Sequence, residues 1–281
     1  MINWKKFGIG IGLIAICGLS IYAVQDAPTD ENQYGKFVKD YRVYPIQMPE
    51  NLNFAGEPVP IESPDIYERM DRELLVNTYW QSNSLLLMKR ANKYFPIIEP
   101  ILAEMGVPDD LKYIAVIESG LTQAVSPAGA RGFWQFMKST GREYGLEIND
   151  NIDERYHIEK ATRAAVEYLK NSKERFGSWT LAAAAYNAGN YGVARQQERQ
   201  EVNDYYDLLL GNETERYVFR ILALKEIMEH PKKYGFHFRE KDLYQPIPTY
   251  TVKVDTSVSN FARFAKNFDI NYKILKIHNP W

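Results

Sequence analysis

With 281 residues, 45% of them hydrophobic and 25% charged, the chain can bury a substantial core as one large domain or two smaller ones, which excludes disorder as its main state. A net charge of −2, with no Lys/Arg stripe along any helical segment, leaves no electrostatic footprint for nucleic acid. Cys17 is the only cysteine, so no intrachain disulfide forms, and His157, His230, His237 and His278 are too scattered to pair at helical spacing, so no metal site is expected.

Lys5 and Lys6 precede an uncharged run from Phe7 to Val24, and residues 1–24 are read as an export signal or a membrane anchor. Ala23 offers an imperfect cleavage position, and bulky Ile16 before Cys17 speaks against lipidation. Basic residues ahead of the apolar run place the bulk of the chain outside the cytoplasm. Residues 25–64, rich in Pro, Asp, Asn and Glu, read as a tether that becomes an extended strap.

From Asp65 the pattern turns helical, with Ile66, Met70, Leu74 and Leu75 at three- and four-residue steps, continuing to Gly106 with Pro96 and Pro100 expected to kink or divide the run. "VPDDLKYIAVIES" has the proline and acidic first turn of a helix start. "IEKATRAAVEYLKNSKERFG" stops at Gly177, the Ala-rich "SWTLAAAAYNAGNYGVARQ" is expected to break at Gly189 and Gly192, and "NETERYVFRILALKEIMEHP" is the last long helix. In residues 241–281, "TYTVKVDTSV" alternates as a strand does, and the remainder suits one or two short helices.

On the helix beginning near Asp109, Leu111, Ile114, Ala115 and Glu118 fall on one face, so the carboxylate takes the place of the next apolar residue. A carboxylate held among apolar groups resists ionisation and can serve as a general acid near neutral pH. The alternative is a Glu paired with Arg131 or Arg155 at a helix end. Ser126, Pro127, Gly129 and Gly132 form turns that bring Trp134 and Gln135 back towards that end, and an amide beside an aromatic suits an acetamido sugar. Tyr186 and Asn187 in "AAYNAG" are open to two readings, as site residues or as a packed ring and a helix cap.

The order "ESG", "SPAGARGFWQF", "AAYNAG", "ETERYV" resembles the lytic transglycosylase family over about residues 48–235. The resemblance implies a mainly α fold: a lysozyme-like helical catalytic domain at 65–240, an N-terminal extended strap, and a small C-terminal α+β LysM-like module at 241–281. It implies that Glu118 is the sole catalytic carboxylate, that Ser126 and Gln135 hold the substrate and the acid, and that Tyr186 and Asn187 stabilise the reacting sugar. Glu213, rather than Glu215, and Tyr217 match a fourth motif that completes the groove.

The implied reaction cleaves the β-1,4 bond between N-acetylmuramic acid and N-acetylglucosamine in peptidoglycan without water, using no cofactor, and leaves 1,6-anhydro ends. The implied setting is the periplasm or cell envelope of a bacterium. There the protein acts as a monomer on glycan strands, exported and held to the membrane through its N-terminal segment. Two rivals remain: a hydrolytic muramidase using Asp150 or Asp153 as second carboxylate, and a non-catalytic glycan-binding protein. "NIDERYHIEK" reads as a structural loop with Asp153 and Arg155 as internal partners. "TVKVDT" and "INYKILKIHNP" loosely resemble a LysM module without its usual Gly-Asp before Thr256; the competing reading packs this segment on the catalytic domain.

Overall fold

The computed structural model describes residues 29–40 and 43–281, so the apolar run from Phe7 to Val24 read as signal or anchor lies outside the described residues. Among the described residues no helix is long and apolar enough to cross a membrane. The chain divides into two units, Met1–Pro45 and Ile46–Trp281. In the first, helix α1 spans Asp30–Asp40, where composition alone suggests a tether. Its acidic first turn, Asp30 and Glu31, and Lys39 in the last turn both complement the helix dipole.

The second unit opens with the strap. Its extended path is interrupted by a short antiparallel hairpin, β1 (Asn53–Phe54) and β2 (Glu57–Pro58), in which Asn53 faces Pro58 and Phe54 faces Glu57. The connecting Ala55 and Gly56 both have positive φ, 54° and 81°, as the tightest hairpin turns require. Leu52, Phe54 and Val59 are buried, so the strap is part of the core and not a loose leader.

Helix α2 (Pro64–Tyr79) starts on proline, whose missing N–H costs nothing in a first turn. Helix α3 (Gln81–Glu104) follows after a break at Trp80 and runs on through Pro96 and Pro100, so of the expected kink or division the division does not occur. Each proline removes one helical N–H, but Leu87, Met88, Ala91, Ile98, Ile101 and Leu102 form one buried stripe, and tertiary packing outweighs those losses. After a 3₁₀ turn at Asp109–Leu111 comes α4 (Lys112–Ser119), closed by Gly120 in the left-handed region at φ 61°.

Helices α5 (Lys138–Glu143), α6 (Ile158–Phe176), α7 (Trp179–Ala188), α8 (Asn190–Gln200) and α9 (Asn212–Glu229) complete the helical scaffold. Ala182 to Ala185 are fully buried, and their small side chains let α7 lie close to α6 and α9. The Ala-rich segment breaks once, at Gly189; Gly192 sits inside α8, contrary to the expected second break. Helix α9 is central: Val218, Phe219, Ile221, Leu222 and Ala223 are all buried, and it packs on α2, α4 and α7.

At the C-terminus α10 (Phe261–Lys266) and α11 (Tyr272–His278) pack on each other. "TYTVKVDTSV" runs without regular structure, so the expected strand and the β part of the module are not formed. Alternation alone does not make a strand: the backbone groups need a ladder partner, and none is present among the described residues. The Trp281 ring stacks on His157 of the helical domain at 4.1 Å.

Candidate active site

Helix α4 delivers Glu118 one turn beyond a fully buried stretch that includes Ile114 and Ala115, so its carboxylate emerges at the boundary between core and solvent. It accepts a hydrogen bond of 2.5 Å from the Tyr217 hydroxyl, which α9 presents from a buried position. Burial pushes Glu118 up to about 7; the Tyr217 hydrogen bond and the Arg220 cation pull in the other direction, and the Glu213 charge adds to the rise. The group is therefore partly protonated near neutrality, able to give a proton and, once ionised, to take one back.

The alternative reading of Glu118, an ion pair with Arg131 or Arg155, is not what the structure shows. Asp153 takes both arginines instead: Arg155 Nη2 lies 2.8 Å away and Arg131 Nη1 3.5 Å away. Arg155 Nη1 also donates to the carbonyls of Gly129 and Phe136, both at 3.1 Å, so Asp153 and Arg155 staple the loop in front of α5. Asp150 is exposed in a turn closed by Asn149 N–H to the Ile152 carbonyl at 2.8 Å.

That loop holds the second motif. Ser126 Oγ accepts from Ala130 N–H at 3.0 Å, closing a tight turn. Gly132 has no substitute here: a Cβ at this position would stand 1.9 Å from the Arg155 carbonyl oxygen. Gln135 is held at φ 50° and gives Nε2 to the carbonyls of Gly132 (2.8 Å) and Ala124 (3.1 Å). Ser126 and Gln135 thus shape the loop, and neither hydrogen-bonds Glu118. Trp134 is fully buried, its indole N–H donating to Thr162 Oγ1 at 2.9 Å.

Tyr186 joins this loop to α7. Its hydroxyl donates to the Trp134 carbonyl at 2.7 Å, and its ring meets Trp134, Phe136 and Tyr168 edge-on. Burial and then the Glu118 charge raise its pKa well above the ordinary phenol value, so it stays protonated beside the carboxylate. Asn187 Oδ1 accepts from Thr214 Oγ1 at 2.8 Å, which ties the end of α7 to the start of α9. Glu213 is largely exposed and pairs with Arg220 at 2.8 Å, whereas Glu215 is held by Arg69 at 2.8 Å. Of the two, it is Glu213 whose charge acts on Glu118.

Sequence reasoning missed Arg220, and it used Thr214 only as the neighbour that marks Glu213. Arg220 was legible in principle, because it lies three residues after Tyr217 and seven after Glu213 and so shares their helix face. The bond from Thr214 to Asn187 was not legible, because it depends on where α7 ends.

Residues 95–208 match the family described as the Transglycosylase SLT domain, a span that contains Glu118, Ser126, Gln135, Tyr186 and Asn187. The chain carries an SLT transglycosylase domain. Tyr217 and Glu213 lie beyond the matched residues of the SLT domain, yet α9 returns them to its carboxylate. Residues 250–281 match a second family, the soluble lytic transglycosylase C-terminal LysM-like domain. Among curated relatives, the membrane-bound lytic murein transglycosylase D of Escherichia coli strain K12 is 31% identical over 198 residues, 67% of this chain and 43% of the relative. The protein of the same name from Escherichia coli O6:H1 strain CFT073 gives the same figures. The chain spans less than half the length of these two relatives.

Proposed function

We propose that this protein is a lytic transglycosylase acting on the β-1,4 bond between N-acetylmuramic acid and N-acetylglucosamine in bacterial peptidoglycan. The observation that carries the reading is Glu118: one carboxyl group, poised at about 7 by burial, with a phenol donor at 2.5 Å. Protonated Glu118 gives its proton to the glycosidic oxygen as the C1–O bond breaks. The N-acetyl carbonyl of the muramic sugar closes on C1 from the opposite face, the substrate-assisted exception to two-carboxylate glycoside cleavage. Glu118, now a carboxylate, takes the proton of the C6 hydroxyl, and O6 displaces the acetamido oxygen from C1 to close a 1,6-anhydro ring.

Tyr217 steadies the ionised form of Glu118 between the two steps. Tyr186, whose O–H is engaged in a hydrogen bond to the Trp134 carbonyl, keeps its oxygen lone pairs to set against the positive charge of the intermediate. Asp153, the carboxylate that a hydrolytic mechanism would recruit, is neutralised by Arg155 and Arg131, which favours the non-hydrolytic route. The setting that fits this substrate is the cell envelope, reached through residues 1–24 and with the membrane as anchor. Residues 250–281 would add affinity for glycan strands.

Digestion of purified peptidoglycan, with the released ends identified by mass spectrometry, tests the reading. Anhydro ends that vanish in Glu118→Gln support it. Reducing ends would make the protein a muramidase, and glycan binding with no release would make it a binding protein.

A further inference from the structure

Trp80 stands at the corner between α2 and α3 and is 59% exposed, the most exposed tryptophan among the described residues. Its backbone is held on both sides: Trp80 N–H donates to the Val76 carbonyl at 2.9 Å, and the Trp80 carbonyl accepts from Ser84 N–H at 3.1 Å. Val76, one turn earlier, is exposed as well. Large apolar side chains held rigidly in solvent are a sign of binding when they adjoin a reaction centre. Trp80 lies ahead of the residues that match the SLT domain, and nothing in the reaction above uses it.

Two lines of contact lead from this corner to Glu118. The first follows α3, which runs antiparallel to α4: Glu99 accepts from Lys112 at 2.7 Å near the start of α4, and Arg90 Nη1 donates to the Gly120 carbonyl at 3.0 Å at its end. A Cβ on Gly120 would also stand 3.4 Å from Leu87 Cδ2, so α4 stops level with Leu87. Trp80, Ser84, Leu87 and Ala91 are spaced by four, three and four residues and share one face of α3. The face that α4 covers at Leu87 therefore reaches, about 10 Å further on, a tryptophan that α4 is too short to cover.

The second line follows α2. Glu73 accepts from Arg216 Nε at 2.7 Å, and Val76 and Trp80, three and seven residues later, continue that flank of the helix. On α9, Arg216 shares a face with Glu213, Tyr217 and Arg220. Those residues meet the acid: Tyr217 bonds Glu118, and Arg220 Nη2 lies 3.5 Å from the Ile117 carbonyl oxygen. Both lines bring the indole to the mouth of the site, beyond the end of the catalytic helix.

We propose that Trp80, with Val76 beside it, is a stacking platform for a pyranose ring of the glycan strand, outside the pair of sugars that reacts at Glu118. The proposal rests on the peptidoglycan reading, because a polymeric substrate has to continue past the site along its walls. A pyranose in such a strand has a face of C–H groups, which suits the indole, and a rim of hydroxyl and amide groups. The rim suits Arg72 and Asn83, which lie one turn to either side of the apolar pair. A bilayer or a second copy of the chain would have to bury those polar groups, which an isolated pair of apolar side chains does not offset.

Steady-state kinetics on glycan strands stripped of peptide by an amidase separates KM from kcat. On long strands Trp80→Ala should raise KM about tenfold with kcat held, and on the shortest strand that is cleaved the two proteins should have the same KM. Trp80→Phe keeps an aromatic face and should recover most of the lost affinity. A KM unmoved by Trp80→Ala, or raised equally on short and long strands, overturns the proposal.

The indole is also its own probe. In Glu118→Gln, long strands should shift the emission of an exposed tryptophan, and the shift should be absent when Trp80→Phe is added. Emission that responds to anionic phospholipid vesicles or to protein concentration, and not to strands, makes this corner a membrane or self-association face and overturns the platform. Anhydro ends released with a KM indifferent to Trp80 would sink the platform and leave the transglycosylase reading intact. Strand binding through Trp80 in a parent protein that cleaves nothing would do the reverse.

Discussion

Glu57, in the hairpin of the strap, is the sharpest place to test how the fold positions the site. Its carboxylate accepts from the backbone N–H groups of Trp179 (2.6 Å) and Thr180 (2.9 Å), from the hydroxyls of Thr180 (2.7 Å) and Ser178 (2.8 Å), and from Lys173 Nζ (3.2 Å). It thereby caps the start of α7, the helix that carries Tyr186 and Asn187, with negative charge where the helix dipole favours it. Burial opposes ionisation, but these hydrogen bonds outweigh it and hold the carboxyl down at about 2, against an ordinary 4.5. At about 1.36 kcal/mol per pH unit, that difference contributes about 3 kcal/mol of stability at pH 7.

Because the folded-state pKa is the lower one, this stability is fully present above pH 4.5 and is lost as pH falls towards 2. At pH 3 about 1.4 kcal/mol should remain. Glu57→Gln should therefore lower the melting temperature by roughly 6–12 °C at neutral pH and by less than half of that at pH 3, followed by circular dichroism. Other carboxylates with lowered pKa are common to both proteins and cancel in the comparison. A variant that melts within about 1 °C of the parent at pH 7, or one whose deficit is the same at both pH values, would refute the argument.

Tyr217→Phe removes a donor that favours ionised Glu118. In the proposed mechanism activity requires protonated Glu118 and should decline as pH rises through about 7 in the parent. In the variant that alkaline limb of kcat/KM should move up by roughly one unit, and a limb that stays or moves down would count against the assignment. Gly132→Ala sets a Cβ 1.9 Å from the Arg155 carbonyl oxygen at a φ of 78°, so a loss of about 3 kcal/mol or more is expected in a denaturant titration. Trp281→Ala uncovers His157, whose pKa burial now holds below 6.5; an NMR titration should show it rising towards that value, with about 0.5–1.5 kcal/mol of stability lost with the ring stack.

The helices were legible where period and punctuation agreed. Gly177 and Gly120 end α6 and α4 in the left-handed region, and the apolar spacing of Leu111, Ile114 and Ala115 placed Glu118 at the edge of the core. Where a local rule met tertiary packing, packing won. Pro96 and Pro100 are breakers by chemistry, yet α3 continues because its buried stripe runs on either side of them. The segment around Thr249–Val258 shows the opposite: its alternation fits a strand, but a strand is a relation between two segments and one sequence run cannot supply the second.

The site divides along the same line. Residue types that must be special in themselves, a Glu replacing an apolar residue or a Gly where no Cβ fits, are visible in sequence. Residues that matter through whom they meet are not. Glu57 is the extreme case, for nothing within "AGEPVP" points to a helix that begins more than a hundred residues later. Its carboxylate nonetheless accepts the first two N–H groups of α7 beside the Ser178 cap, and the far end of α7 carries Tyr186. The strap thus belongs to the catalytic apparatus by mechanics: losing Glu57 should disturb Tyr186 and Asn187 before it disturbs Glu118, whose own helix is closed independently by Gly120. A Glu57→Gln protein, assayed well below its melting point, should then show reduced kcat with the pH limb set by Glu118 unmoved, and a displaced limb would mean that the strap reaches the acid directly.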